Sequence, residues 1–363
     1  MSGLDERMPY AAAFPGALGT GVIAQSAAPA GDGALRRARG FIGEYECVLS
    51  RFRRDSQVAA MAAAPDGGVF RFPDWAAGLF GLCDLLTDAT KGAFDPCIGE
   101  DLARLGYDAR YSFVMETDAE GRLGSFGGRP TWRGNVERHG TTLVTRGPVA
   151  LDFGACGKGY LVDLLARILF GNETGAPSFV IDAGGDLLIH SPGAPVTVGL
   201  EDPEDPSRAV GVAHVEEGAF CASAPSRRHW GEMAGHRLHH LINAIDGRPV
   251  DNIAATWTFV ETTTHGIRAS SDGPCPTPPT HPAMPNPRRQ GVDSDGLPST
   301  IHQPTPIGDM AIRYPTALAD GLATALFVAS PDRLRAHAPY EAAILRADRT
   351  AAITHDFPGG LFQ

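Results

Sequence analysis

Two periodicities alternate along the chain. Residues 34–50, ALRRARGFIGEYECVLS, place apolar side chains at helical spacing, and the charged run SRFRRDS reads as the turn that ends this helix. A second helix is predicted over DWAAGLFGLCDLLTDATKG, with Asp74 as N-cap and Gly92 as its C-terminal stop. A third covers residues 158–171, KGYLVDLLARILFG, and ends at Gly171. YPTALADGLATALFVAS reads as a further helix, with Asp320 and Thr324 one turn apart on one face. Between the helices lie β-rich runs: TTLVTR, SFVIDA, DLLIH, APVTVGL, RAVGVAHV and AATWTFVETT. Strands interleaved with a few helices, without a regular βαβ repeat, predict an α+β (mixed α/β) architecture.

One segment breaks the pattern. Between Pro274 and Pro306 fall ten of the chain's 29 prolines, amid Ser, Thr, Asp and Gly. Such a composition cannot bury enough apolar surface to offset its ordering entropy. Residues 264–307 are therefore expected to form a disordered Pro-rich insertion within a single domain spanning 1–363. It reads first as a tolerated loop, with partner docking as the alternative.

Composition narrows the function classes. Hydrophobic residues at 43% and charged residues at 20% fit a globular protein with a real core. A net charge of -11 with no basic stripe argues against a nucleic-acid partner. Asp5 and Glu6 stand where a secretory signal carries basic residues, and no run reaches the ~18 apolar residues of a membrane helix. Six scattered cysteines without a C-x-x-C pair read as reduced thiols. The expectation is a cytoplasmic protein with no membrane insertion.

Candidate chemistry sits in a few stretches. LDFGACGKGY at 151–160 invites comparison with a phosphate-binding loop, but Asp152 stands where a Walker loop needs its first glycine, and Gly159 where it needs a hydroxyl. What remains is a strand, a glycine-rich turn and a helix starting near Lys158. That arrangement points backbone N–H groups at an anion, or is a tight turn with a surface lysine. In VIDAGGDLLIH, Asp182 and Asp186 flank paired glycines and could serve a ligand or metal, or cap the turn. Asp320 and Thr324 offer two hard oxygens suited to Mg²⁺, though both are ordinary near a helix start. His236, His239 and His240 lack the spacing of a zinc site; they are structural, or contact a phosphate or hydroxyl.

Taken in order, the stretches ALGTG (17–21), SRFRRDS (50–56), GAFDPCIG (92–99), LDFGACGKGYLVD (151–163), DAGGD (182–186), CASAPSRRHW (221–230), HHLINAIDGRPVDN (239–252) and ADGLATALFVAS (319–330) resemble the successive motifs of the ApbE-like FAD:protein FMN transferases. The resemblance implies that family's fold, with mixed or antiparallel sheets flanked by helices. It also implies a pocket for FAD lined by Ala93, Phe94 and Asp95, with Asp152 and Lys158 as flavin contacts. Leu18 replaces the family's methionine, and Phe52 keeps the stacking ring without a hydroxyl. Asp186 and Leu241 join the cofactor-binding set, and His240 lies near the pyrophosphate. Mg²⁺ falls to Asp320 and Thr324, with the backbone carbonyl of Ala155. The implied catalytic group is thus Asp320, Thr324, His240 and Lys158.

The implied reaction is attack by a Thr or Ser hydroxyl of an acceptor flavoprotein on the FMN-side phosphorus of FAD, with loss of AMP. The acceptor sequence resembles D-G-x-T-x-A-T, and the general base is Asp186, His240 or Asp320. Departures from the family pattern at Ala244, Asp246, Ala323 and Ser226 touch loop detail and the metal site. An FAD pyrophosphatase, or a flavin-binding protein without turnover, are the rival readings.

Overall fold

The structure, a computed structural model, describes residues 2–171, 176–233, 235–262, 310–311 and 313–362. The Pro-rich stretch 264–307 lies outside the described residues. At the centre is an eight-stranded sheet whose spatial order follows chain order. Its strands are Tyr10–Phe14, Val22–Ser26, Phe179–Asp182, Leu187–His190, Glu217–Ser223, Ile253–Glu261, Glu341–Arg346 and Ala351–Ile353. Every neighbouring pair is antiparallel. This is the α+β architecture that the sequence predicts, resolved into antiparallel pairings.

Strand alternation assigns each face of this sheet a different neighbour. Ile181, Leu188, Ala219, Cys221 and Ile344 join the core shared with the helices. Their sequence neighbours Val180, Ile189, Phe220 and Leu345 turn the other way, into a second core with Val196, Leu200 and Val215. The latter residues belong to a three-stranded sheet built from Val196–Glu201, Ala209–Val215 and Gly359–Leu361.

The helices follow the predicted positions closely. Asp32–Leu49 buries Ala38, Phe41, Ile42, Tyr45, Val48 and Leu49, a single stripe at spacings of three and four. Gly157–Phe170 is buried almost all round, as its nearly unbroken apolar sequence requires. It ends at Gly171, whose φ of 70° suits glycine. The helix Ala77–Thr90 stops at Lys91 and Gly92, both left-handed. It starts behind a 3₁₀ turn, Asp74–Ala76, and its N-cap is Ala76, so Asp74 does not cap it. Four strands of the large sheet escape the pattern: YAAAF, VIAQS, EGAFCAS and EAAILR are short or alanine-rich, and alanine favours helix locally. Only their sheet partners make them strands.

The helix that places the candidate chemistry is Pro315–Ala325. Its first turn is capped from another element: Asp163 accepts hydrogen bonds from Thr316 N (3.1 Å) and Ala317 N (2.9 Å). Its flank is held by the central sheet, where Thr256 and Thr258, two residues apart on one face, donate to the carbonyls of Ala323 and Ala319 at 2.7 Å each. Gly159 lets the two helices cross closely, because a Cβ there would lie 2.3 Å from the Thr316 carbonyl oxygen.

Helix propensity alone makes Gly159→Ala stabilising by ~1 kcal/mol. The backbone overlap reverses the sign, so the variant is expected to lose ~1–3 kcal/mol. Gly43→Ala, at an exposed site of the Asp32–Leu49 helix with no atom within 4 Å of the added carbon, is expected to be neutral or stabilising. Urea denaturation midpoints of the two variants check the contrast.

Candidate active site

The glycine-rich stretch 151–156 is not led in by a strand as expected. The strand Thr142–Thr145 ends earlier, and the following segment is fastened to the GAFDPCIG stretch: Gly99 N donates to Ala150 O (3.1 Å) and Asp152 N to Pro96 O (2.7 Å). Leu151 and Phe153 are buried on either side of Asp152, and the helix begins at Gly157. Lys158 is thereby fixed in its first turn.

The Lys158 ammonium bridges two elements. It donates to Asp186 Oδ2 and to Asp320 Oδ1 (3.1 Å) and Oδ2 (3.2 Å). Asp320 Oδ2 also accepts from Gly159 N at 3.1 Å. Asp186 arrives at the end of a hairpin whose turn contains two successive left-handed residues, Gly184 (φ 70°) and Gly185 (φ 100°), which only glycine adopts cheaply. Asp182 caps that turn through Gly185 N (2.8 Å) and also lines the adjoining cavity.

Both bridging carboxylates are buried, at 1% and 2% side-chain exposure, so their charge state is set by one another and by the lysine. Burial, reinforced by Asp186, pushes Asp320 up to about 7. Burial likewise raises Asp186, against the pull of Lys158. Burial opposes the Lys158 charge, yet the two carboxylates more than offset it and hold the lysine well above its ordinary value. With both carboxylates ionised, one cation faces two anions, and the cluster carries one surplus negative charge. Asp186 Oδ1 is buried with no hydrogen-bond partner among the described residues. The nearby Cys221 thiol donates to the Thr316 carbonyl (3.6 Å) and also favours the ionised form of Asp186.

Alongside runs a cavity of about 870 Å³, of the size that holds a cofactor. Its walls include Leu18, Phe52, Ala93, Phe94, Asp95, Asp152, Ala155, Lys158, His240, Leu241, Asp320 and Thr324, contributed from across the chain. Asp186 is the one predicted site residue that does not line it; Lys158 stands between. Its described contact is with Lys158, which does line the cavity.

Several wall residues are already engaged. Asp95 accepts from Cys97 N (2.8 Å) and from Trp132 N (3.0 and 3.2 Å), so its carboxylate holds the local chain together. Asp152 pairs through Oδ2 with Arg51 and accepts from Gly154 N at 2.7 Å through Oδ1. Phe52 has the Arg51 guanidinium 4.3 Å from its ring centre and the Tyr111 ring stacked at 5.0 Å and 3°. Phe52 is thus already packed against a cation and a second ring. Phe52 lines the cavity, as the family resemblance implies, with Tyr111 stacked against it.

His240 Nδ1 lies 3.4 Å from the Arg228 carbonyl, which fixes Nδ1 as the protonated nitrogen and leaves the lone pair on Nε2. Burial pushes His240 down to about 4, so the ring is neutral at pH 7. His239 is also pushed down by burial to about 4, but it receives Leu241 N (3.2 Å) and does not line the cavity. Leu18 sits in a left-handed conformation (φ 54°) with its N–H on Glu46 Oε1 (2.8 Å).

Arg51, Tyr107 and Arg228 also line the cavity and escaped the sequence reading. Arg51 adjoins Phe52 in the SRFRRDS turn and was legible there as a charged neighbour. Tyr107 lies in a stretch without periodicity that carries no such signal.

Among the described residues no group of three His, Cys, Asp or Glu converges as an all-side-chain metal cage. The donors present are hard oxygens: the Asp320 carboxylate, and Thr324 Oγ1 with Ser223 Oγ 3.4 Å away. They fit a cation that keeps several waters and leans on substrate phosphates, as Mg²⁺ does.

Comparison with known proteins agrees with this geometry. A family model described as the ApbE family matches residues 19–270. The FAD:protein FMN transferase of Escherichia coli K12 is 28% identical over 116 residues, 31% of this chain and 32% of that protein. That of Vibrio cholerae O395 is 25% identical over 227 residues, 60% of this chain and 65% of the relative. The alignments thus span about a third and somewhat under two thirds of these curated relatives. An ApbE protein from Thermotoga maritima superposes with a TM-score of 0.68 at 17% identity, covering 95% of this chain and 97% of that one. The Pseudomonas stutzeri flavinyl transferase ApbE gives 0.64 at 20% identity, with 95% and 93% covered. At such identities the superpositions speak for the fold alone. The family match, over more than half the chain, goes further: this chain belongs to the ApbE family.

Proposed function

We propose that this chain is an FAD:protein FMN transferase, moving the FMN part of FAD to a Thr or Ser hydroxyl of an acceptor protein and releasing AMP. The observation that carries the reading is Asp320 and Thr324 on the wall of a dinucleotide-sized cavity, beside a lysine held between two buried carboxylates. The names of the relatives support the same chemistry.

Phosphoryl transfer of this kind depends on positioning and charge neutralisation rather than covalent catalysis. Lys158, pinned at three oxygens, presents a fixed positive charge to the pyrophosphate. Asp320 and Thr324 would hold Mg²⁺, which supplies charge neutralisation at the phosphates when bound. His240 offers the Nε2 lone pair, suited to accept the hydrogen bond of the incoming hydroxyl and orient it. Its pKa of about 4 makes it a weak base near neutrality. Asp186 is set aside as a base because it lies behind Lys158. The acceptor's D-G-x-T-x-A-T sequence remains part of this proposal, tested with the activity itself.

Incubation with FAD, Mg²⁺ and a peptide carrying that sequence is expected to give a peptide heavier by FMN, together with AMP. AMP without a heavier peptide would mean hydrolysis, and neither product despite bound FAD would exclude both enzyme readings. Asp320→Asn is expected to lower the transfer rate by about 10²–10³-fold, the scale for losing one preorganised charge-stabilising group.

The His240 titration carries its own sign. Its folded pKa lies below the unfolded value, so it takes up a proton only as pH falls towards about 4. Between pH 5 and 8 the rate profile is therefore expected to show no inflection from His240. His240→Gln should lower the rate while leaving the position of the acid limb unchanged. A limb that moves in the variant would mean that the histidine titrates during turnover.

A further inference from the structure

The planar end of a bound dinucleotide needs a flat partner. Phe52, on the cavity wall, already has the Arg51 guanidinium 4.3 Å from its ring centre and the Tyr111 ring stacked against it. Tyr111 itself lines the cavity and is 45% exposed. Its other aromatic neighbours, Tyr107 (5.7 Å, 64°) and Phe113 (6.2 Å, 50°), meet it at steep angles rather than flat. One broad face is thus occupied by Phe52, and the outer face is left without a stacked aromatic partner among the described residues.

The backbone holds Tyr111 in this pose. Its φ is 53°, a left-handed conformation that bulky residues adopt only where the surroundings impose it. Asp108 imposes it: its carbonyl accepts from Tyr111 N (3.1 Å), and its carboxylate accepts from Arg110 N (2.8 Å) and Ser112 N (3.1 Å). The ring is preorganised, so little conformational freedom is lost when a ligand lands on it.

We propose that Tyr111, one layer out from Phe52, is the stacking platform for the isoalloxazine ring. Tyr111 then lies between Phe52 and the flavin. The proposal rests on FAD being the substrate. Isoalloxazine is favoured over adenine because this wall is broad and apolar, with Ile98 and Leu102 beside the three rings, and so matches a tricyclic system.

The test uses the full chain and titrates riboflavin, FAD and ADP by calorimetry into wild type, Tyr111→Leu and Tyr111→Phe. Leucine keeps an apolar side chain at an exposed position, and circular dichroism verifies its fold. Tyr111→Leu is expected to weaken riboflavin and FAD by about 5- to 100-fold, the range for removing one aromatic stacking partner. ADP should bind as to wild type, and Tyr111→Phe should restore the flavin affinities. Unchanged riboflavin binding in Tyr111→Leu, or an equal loss for ADP, would overturn the assignment. Wild type that binds neither FAD nor riboflavin would instead remove the substrate reading on which it rests.

Discussion

The fold converges on a single ammonium group. Lys158 ties the start of one buried helix to the hairpin end at Asp186 and to the helix that carries Asp320. Buried carboxylates are costly unless paired, and removing the one cation between them would leave two uncompensated charges. The surrounding structure is arranged to keep that triad in register. Gly159 permits the helix crossing, Asp163 caps the second helix, and Thr256 and Thr258 hold it against the sheet. These supports lie one residue to one turn from the charges they position.

The same arrangement bears on how an acidic chain would take the polyanionic substrate proposed for it. With both carboxylates ionised the triad carries one negative charge too many, and burial, which pushes Asp320 up to about 7, opposes that state. An added cation would discharge that surplus and at the same time attract a pyrophosphate. Substrate and cation are then expected to help one another bind, which is a thermodynamic coupling and therefore reciprocal.

Much of this was legible in the sequence, for identifiable reasons. Long helices such as Gly157–Phe170 announce themselves through apolar periodicity and a terminal glycine, and the glycine pair at 184–185 marks a turn that only glycine makes. The placement of Asp320 and Thr324 on one helix face follows from a spacing of four. Alanine-rich strands such as YAAAF were not legible, because their identity depends on partners distant in sequence. Nor were the engagements of the wall residues. The sequence does not reveal that Asp186 reaches Lys158, that Asp95 accepts from Trp132 N, or that Phe52 packs against Arg51 and Tyr111.

The central claim, that the Lys158 triad is one cation short and is completed at the substrate's phosphates, is tested most directly by FAD affinity as a function of Mg²⁺ concentration. The account predicts that FAD binds wild type more tightly as Mg²⁺ rises and that this coupling disappears in Asp320→Asn. FAD binding by wild type that is indifferent to Mg²⁺ would contradict it.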